Sequence, residues 1–106
     1  MQQLSPQTLS TWLLSHQPDP ILLDVREPWE FDICHVEGAQ LMPMSSLPTQ
    51  NALLDKAADI VIICHHGVRS MHAGIFLEQQ GFLHVYNLDG GIDQWAAQID
   101  RAMPIY

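Results

Sequence analysis

The stretch that decides the fold is Ile60-Val61-Ile62-Ile63-Cys64-His65-His66-Gly67-Val68-Arg69-Ser70. Its first four residues are apolar and β-branched, and a short continuous run of this kind is typical of a strand buried on both faces. The residues that follow it, 71–80, have the apolar spacing of a helix. The sequence therefore predicts that Cys64 ends a central strand and opens a tight loop that leads into a helix.

The predicted position of Cys64 favours a reactive thiolate. A helix N-terminus collects backbone N–H donors and positive dipole, which stabilise a bound anion and lower the pKa of a nearby thiol. Gly67 allows left-handed backbone angles, so the loop can turn its N–H groups toward the sulfur. Arg69 can bind an oxyanion through two parallel hydrogen bonds. These features predict a nucleophilic cysteine that attacks an electrophilic sulfur or phosphorus atom carrying oxygens.

The composition limits the classes of protein to which this chain can belong. Its 106 residues are interpreted as a single domain over residues 1–106, with a formal net charge of −8 at pH 7. Because only four strong bases are present, we expect no nucleic-acid partner. No apolar run approaches a membrane span, and the N-terminus has no signal-peptide pattern. Cys34 and Cys64 form no disulfide framework, so we expect a reducing, cytoplasmic setting.

Predicted strands and helices alternate along the rest of the chain. A helix is expected after an N-cap at Ser5, and the apolar run at 21–25 predicts a second buried strand that ends at Asp24. The remaining predicted elements are a short helix at 28–33, a short strand at 40–42, a weak helix and loop at 47–56, a strand at 83–86, a last helix from Ile92 and an irregular tail from Arg101. This alternation predicts an α/β fold with a central, mostly parallel sheet flanked by helices on both faces. Ligands bind such sheets at the carboxyl ends of the strands, where Asp24 and Cys64 are expected.

Three segments of the sequence carry a family resemblance. The motifs DVR, EF and CHVEGA within residues 24–39 resemble the first signature of rhodanese-like domains, and residues 64–70 resemble their active-site loop. Residues 88–92, with Trp95 behind them, resemble the last signature. The three occur in the family's order and span the chain from the first helix to the tail. The whole chain is therefore identified as a rhodanese-like domain of the single-domain thiosulfate sulfurtransferase type.

The resemblance implies both a fold and a reaction. It implies a central parallel sheet wrapped by helices, and a sulfurtransferase in which Cys64 attacks the outer sulfur of a donor such as thiosulfate. Cys64 would become a persulfide, and cyanide or a thiol would then accept the sulfur. The implied partners are a small anionic sulfur donor, a thiol or cyanide acceptor and, as a further candidate, a sulfur-accepting protein. No cofactor is implied.

The candidate site residues lie in the loop and beside it. Cys64 is the expected catalytic nucleophile. The expected substrate-binding residues are His65, His66, Gly67, Val68 and Arg69. Asp24 and Ser70 are expected to support the loop, Asp24 either by hydrogen bonds to the loop backbone or to Arg69, or only by capping its own turn. No metal is expected, because two adjacent histidines beside a cysteine rarely converge on one ion and the sequence indicates no further ligand.

Two other functions stay open at this point. The same domain can serve as a sulfur-relay or regulatory module that acts on a protein partner. Phosphatases or arsenate reductases of the same fold are a further alternative. The related phosphatases carry one more residue between cysteine and arginine, so the shorter separation of Cys64 from Arg69 favours a sulfane sulfur over a phosphate.

The remaining polar residues have structural interpretations. Cys34 is either a resolving cysteine for Cys64 or a small residue that fills a position where the family usually has glycine. A solvated acidic edge is predicted for Glu27, Glu30 and Glu37. Surface or helix-face positions are predicted for His16, His72 and His84.

Overall fold

The fold is built on one sheet of five parallel strands. A computed structural model describes residues 1–15 and 17–106. The strands are β1 (Gln2–Leu4), β2 (Ile21–Asp24), β3 (Gln40–Leu41), β4 (Asp59–Ile63) and β5 (His84–Leu88). Their order across the sheet is β1-β5-β4-β2-β3, and all four pairings are parallel. The prediction of a parallel sheet with the strand before Cys64 at its centre is confirmed.

Helices connect the strands and cover both faces of the sheet. They are α1 (Pro6–Leu14), α2 (Pro28–Ile33), α3 (Leu47–Gln50), α4 (Val68–Gln79) and α5 (Gly91–Gln98), with single 3-10 turns at Met44–Ser46 and Asn51–Leu53. Ser5 caps α1 as predicted, because its side chain accepts a hydrogen bond of 3.1 Å from the Thr8 amide. No helix within the described ranges is long and apolar enough to cross a membrane.

The side chains of β4 explain why its sequence is continuously apolar. Ile60, Ile62 and Cys64 belong to the apolar cluster on the face covered by α3 and α4. Val61 and Ile63 belong to the cluster on the opposite face, covered by α1 and α5. Because successive strand residues point to opposite faces, a strand with helices on both sides needs an apolar residue at every position.

Several boundaries differ from the predictions. The edge strand β1 was not predicted, because three residues are too short to show an alternating pattern. Helix α4 begins at Val68 rather than at residue 71, so Arg69 and Ser70 lie in its first turn. His72 and His84 are exposed, as predicted, whereas His16 lies outside the described residues.

Candidate active site

Cys64 lies at the carboxyl end of β4, in the turn that leads to α4. Only 1% of its surface is exposed. Its Sγ accepts a hydrogen bond of 3.0 Å from the backbone N–H of Gly67. Gly67 reaches this position with a φ of +101°, in the left-handed region that favours glycine. The turn therefore aims a backbone donor at the sulfur, an arrangement that stabilises negative charge there.

A polar chain lies under the cysteine, on the inner side of the loop. Ser70 Oγ is 3.2 Å from Cys64 Sγ and also donates a hydrogen bond to the side-chain oxygen of Asn87. The orientation of the Asn87 amide is fixed, because its nitrogen donates to the Gly67 carbonyl at 3.2 Å and a carbonyl can only accept. Ser70 has one proton, so it can serve either Asn87 or a Cys64 thiolate. Ser70 and Asn87 thus link the protonation state of the Cys64 sulfur to β5 through hydrogen bonds.

Helix α5 holds the outer side of the loop. The Ile92 N–H donates to the Cys64 carbonyl at 2.8 Å, and the Asp93 N–H donates to the His65 carbonyl at 3.1 Å. Close approach of the helix requires a glycine, because a Cβ on Gly91 would lie 2.4 Å from the Cys64 oxygen and 2.5 Å from the His65 oxygen. The first two N–H groups after Gly91, which have no partner inside the helix, are thereby satisfied by the loop.

Arg69 forms a bidentate ion pair with Glu30, which lies in the first turn of α2. Its two terminal nitrogens donate to the two Glu30 carboxylate oxygens at 2.7 and 2.8 Å. Glu30 is only 3% exposed, so the prediction that it belongs to a solvated acidic edge is wrong, whereas Glu27 and Glu37 are exposed. The hydrogen bonds from Arg69 lower the pKa of Glu30 to about 2, against the opposing effect of its burial. The same pair raises the pKa of Arg69 above its usual value.

Tyr106 places the tail over the site. Its hydroxyl accepts a hydrogen bond of 2.9 Å from Arg26 and donates one of 2.7 Å to Glu30. Burial, together with the carboxylate of Glu30, raises the pKa of Tyr106 to about 12. Its ring stacks on His65 with ring centres 4.0 Å apart. The irregular tail predicted from Arg101 therefore contributes a side chain to the site, which the sequence did not indicate.

Asp24 is directed to Arg26. Its carboxylate accepts hydrogen bonds of 2.8 Å from Nε and 2.7 Å from Nη2 of Arg26, and both side chains are fully buried. Arg26 also donates to the Cys34 carbonyl at 2.7 Å and to Tyr106. Burial lowers the pKa of Arg26, but the hydrogen bonds of Asp24 and Tyr106 outweigh it and the net direction is upward. Asp24 thus contacts Arg26 rather than Arg69. The Arg26 backbone N–H also donates to the Asp24 carboxylate at 3.1 Å, so the structure supports the alternative prediction that Asp24 caps its own turn.

The two loop histidines stack on each other and face Asp93. Their ring centres are 3.9 Å apart with an angle of 25° between the planes. The possible metal-ligand atoms of His65, His66 and Asp93 lie within 4.8 Å of one another. Asp93 is therefore a third candidate ligand, which the sequence did not indicate. A metal binds imidazole along the ring plane, and two stacked planes do not meet at one ion without ring rotation. Burial and then the neighbouring His66 lower the pKa of His65.

Val68 and Cys34 are the remaining residues for which the sequence predicted a role. Val68 is 65% exposed in the first turn of α4, beside the loop. Cys34 is buried in the apolar cluster on the α1 and α5 face, whereas Cys64 packs in the other cluster, and both are free thiols. This packing supports the interpretation of Cys34 as a small residue that fills space.

The structure brings together residues that the sequence reasoning missed. Glu30, Asn87 and Tyr106 come from α2, β5 and the tail, and each bonds a residue of the loop or of its support. Only Glu30 had a sequence signal, since it lies in the EF motif of the first signature. Within the described residues, every buried side-chain nitrogen and oxygen has a hydrogen-bond partner. The arrangement can hold a single negative charge on sulfur at the end of β4.

Comparisons with known proteins relate this chain to one family. A model of the Rhodanese-like domain family matches residues 5–98. The probable adenylyltransferase/sulfurtransferase MoeZ of Mycobacterium tuberculosis is 38% identical over 105 residues, which cover 97% of this chain and 26% of that protein. The thiosulfate sulfurtransferase GlpE of Stutzerimonas stutzeri is 36% identical over 75 residues, which cover 71% of this chain and 69% of that protein.

A solved structure has the same architecture over the full chain. A rhodanese-like domain protein from Staphylococcus aureus is similar with a TM-score of 0.86 and 28% identity, covering 100% of this chain and 99% of that one. The present chain spans about a quarter of the length of the mycobacterial relative. The parallel sheet flanked by helices is thus the fold of rhodanese-like neighbours. The chain belongs to the family of rhodanese-like domains.

Proposed function

We propose that this protein is a sulfurtransferase that carries sulfur as a persulfide on Cys64. The observation that carries the proposal is the hydrogen bond of 3.0 Å from the Gly67 N–H to Cys64 Sγ, in a loop at the end of the central strand. This donor stabilises a thiolate before the reaction and a terminal sulfur anion after it. Family membership and the similarity to a thiosulfate sulfurtransferase support the same activity.

The reaction proceeds in two displacements at sulfur. The Cys64 thiolate attacks the outer sulfur of a donor such as thiosulfate, a new S–S bond forms, and the donor's own S–S bond breaks. Sulfite leaves with the electron pair of that bond. An acceptor thiol or cyanide then attacks the outer sulfur of the persulfide and Cys64 departs again as a thiolate, so the cycle is ping-pong.

The other residues of the loop bind the donor and stabilise the sulfur in this proposal. The N–H groups of residues 65–68 would stabilise the outer sulfur of the persulfide. Arg69 would orient the donor through the guanidinium edge that the Glu30 carboxylate does not occupy. Ser70 supports the sulfur from below. We further propose that residues 1–106 act as one domain in a reducing, cytoplasmic setting, because Cys34 and Cys64 are free thiols; cell fractionation tests the location.

Thiocyanate formation tests the activity. The protein is incubated with thiosulfate and cyanide, and mass spectrometry follows the gain of one sulfur atom on Cys64. Cys64→Ser should abolish both signals. Cys34→Ser is the matched control and should retain them, because Cys34 packs in a different apolar cluster. Absence of a persulfide on Cys64 with every sulfane donor tried would remove the proposal.

A sulfur relay to a protein acceptor is the second candidate. Val68, Met71 and Ile75 form an exposed apolar strip on α4 that begins beside the loop. Exposed apolar side chains in one row are a feature of protein-binding surfaces. Faster discharge of the Cys64 persulfide by a protein thiol than by cyanide would favour the relay. Hydrolysis of an aryl phosphate would instead support a phosphatase.

A further inference from the structure

We propose that Glu30 determines which sulfur donor Cys64 accepts, selecting organic persulfides of low charge over dianionic donors such as thiosulfate. The proposal rests on the proposed sulfurtransferase function and deepens it. It concerns the charge of the donor, which neither the loop sequence nor the family assignment specifies.

The first step is the neutralisation of Arg69. Both terminal nitrogens of its guanidinium donate to the Glu30 carboxylate at 2.7 and 2.8 Å, and one edge of the planar group is occupied. Glu30 is itself fixed, because the Glu27 N–H and the Tyr106 hydroxyl donate to it at 3.0 and 2.7 Å. With a pKa of about 2, Glu30 stays ionised at any physiological pH. The pair therefore presents no net charge to a donor.

The second step is that the neighbouring groups among the described residues do not replace the positive charge of Arg69 that Glu30 neutralises. Arg26 is fully buried and paired with Asp24. Tyr106 is neutral at physiological pH, since its pKa is raised to about 12. Burial lowers the pKa of His65, which disfavours the charged form of its ring. His66 is exposed, and its Nδ1 lies 3.9 Å from the Asp93 carboxylate.

The third step compares the two classes of donor. Thiosulfate brings two negative charges to a thiolate in a chain whose net charge is −8, and it finds an arginine that is already paired. A protonated persulfide, R–S–SH, approaches without charge. The Cys64 thiolate attacks its outer sulfur, the S–S bond of the donor breaks, and R–S⁻ leaves with the electron pair; Cys64–S–SH retains the proton. One negative charge is present before and after, and the Gly67 N–H stabilises it on Cys64 Sγ at the start of the step.

The variant Glu30→Gln isolates the effect of the negative charge of this residue. Glutamine has nearly the same shape and retains an oxygen that can accept from Arg69 or Tyr106, but it leaves the guanidinium charge uncompensated. Glu37→Gln is the matched control, because it removes the same charge from an exposed side chain. Single-turnover formation of the Cys64 persulfide is followed by mass spectrometry with thiosulfate and, separately, with 2-hydroxyethyl persulfide, whose organic group is uncharged.

The expected result is a change in the ratio of the two donors. The wild type should react faster with 2-hydroxyethyl persulfide, and Glu30→Gln should raise the second-order rate constant of Cys64 persulfide formation from thiosulfate by about tenfold or more, while that from the organic persulfide changes by less than about threefold. Glu37→Gln should leave the ratio unchanged. A merely structural role of Glu30 would lower both rates together.

Two outcomes would overturn the inference. One is an unchanged donor ratio in a folded Glu30→Gln protein. The other is a wild-type preference for thiosulfate, which decides the matter even if the variant does not fold. A wild type that forms no Cys64 persulfide with either donor would instead remove the proposed function, so the two failures are distinguishable.

Discussion

Replacement of Gly91 by alanine tests whether α5 holds the loop that follows Cys64. The added methyl carbon would lie 2.4 Å from the Cys64 carbonyl oxygen and 2.5 Å from that of His65. Both oxygens belong to the backbone, so neither can rotate away as a side chain could. They also accept the hydrogen bonds from Ile92 and Asp93. The loop and the helix must therefore separate, and these two bonds must lengthen or break.

The expected loss of stability has two parts. Gly91 has a φ of +62°, and an alanine in this left-handed region costs about 1–2 kcal/mol. Loss of the two hydrogen bonds adds about 1 kcal/mol each, for a total of about 3–4 kcal/mol. Since about 1 kcal/mol lowers Tm by about 4–8 °C in a domain of this size, Gly91→Ala should lower Tm by more than about 10 °C. Urea unfolding, followed by circular dichroism, measures the same change as a free energy of unfolding.

Gly38 provides the matched control. It has a φ of +85°, but a Cβ there would meet no atom within 4 Å. Gly38→Ala should therefore cost only the backbone contribution, about 1–2 kcal/mol, and should not alter the rate of Cys64 persulfide formation. Gly91→Ala should lower that rate by about tenfold or more, because it displaces the loop whose Gly67 N–H donates to the sulfur. Equal destabilisation by the two variants, or an unchanged Cys64 rate in Gly91→Ala, would refute the reasoning.

Three further outcomes follow from the polar contacts around the site. Tyr106→Phe leaves Arg26 and Glu30 without a shared hydroxyl and should lower the free energy of unfolding by about 1–3 kcal/mol, measured in urea. Ser70→Ala removes the donor to the buried Asn87 oxygen and should cost a similar amount, about 1–3 kcal/mol, in the same assay, whereas a neutral result would mean that this contact does not stabilise the fold. Because folding lowers the pKa of Glu30 from 4.5 to about 2, its ionised form stabilises the protein fully above pH 4.5, and this contribution is lost as the pH falls toward 2. The difference in unfolding free energy between wild type and Glu30→Gln should thus shrink by about 2 kcal/mol between pH 7 and pH 2, in urea titrations at stepped pH.

The central strand and the turn after Cys64 were predictable because their signals are local. Four consecutive apolar residues at 60–63 require burial on both faces, and a strand buried on both faces lies at the centre of a parallel sheet. Gly67 has the positive φ that its place in the turn suggested. The last helix, predicted from Ile92, begins one residue earlier at Gly91.

The electrostatics of the site could not be predicted, because they depend on pairs that are distant in the chain. Glu30 and Arg69 are 39 positions apart, and Arg26 and Tyr106 are 80 apart. No period in the sequence distinguishes a carboxylate that meets a buried partner from one that faces water. Nothing in the sequence distinguishes Glu30 from Glu27 and Glu37, yet the helical turn that begins at residue 28 directs only Glu30 inward.

The contact between α5 and the loop fixes the direction of two peptide planes. In a trans peptide the carbonyl and the following N–H point in opposite directions. Because the carbonyls of Cys64 and His65 point toward the amides of Ile92 and Asp93, the N–H groups of His65 and His66 point away from α5. A helix remote in sequence thus sets the polarity of the loop through main-chain atoms alone. The side chains of His65 and His66 can therefore be exchanged without reversing the peptide dipoles of the loop.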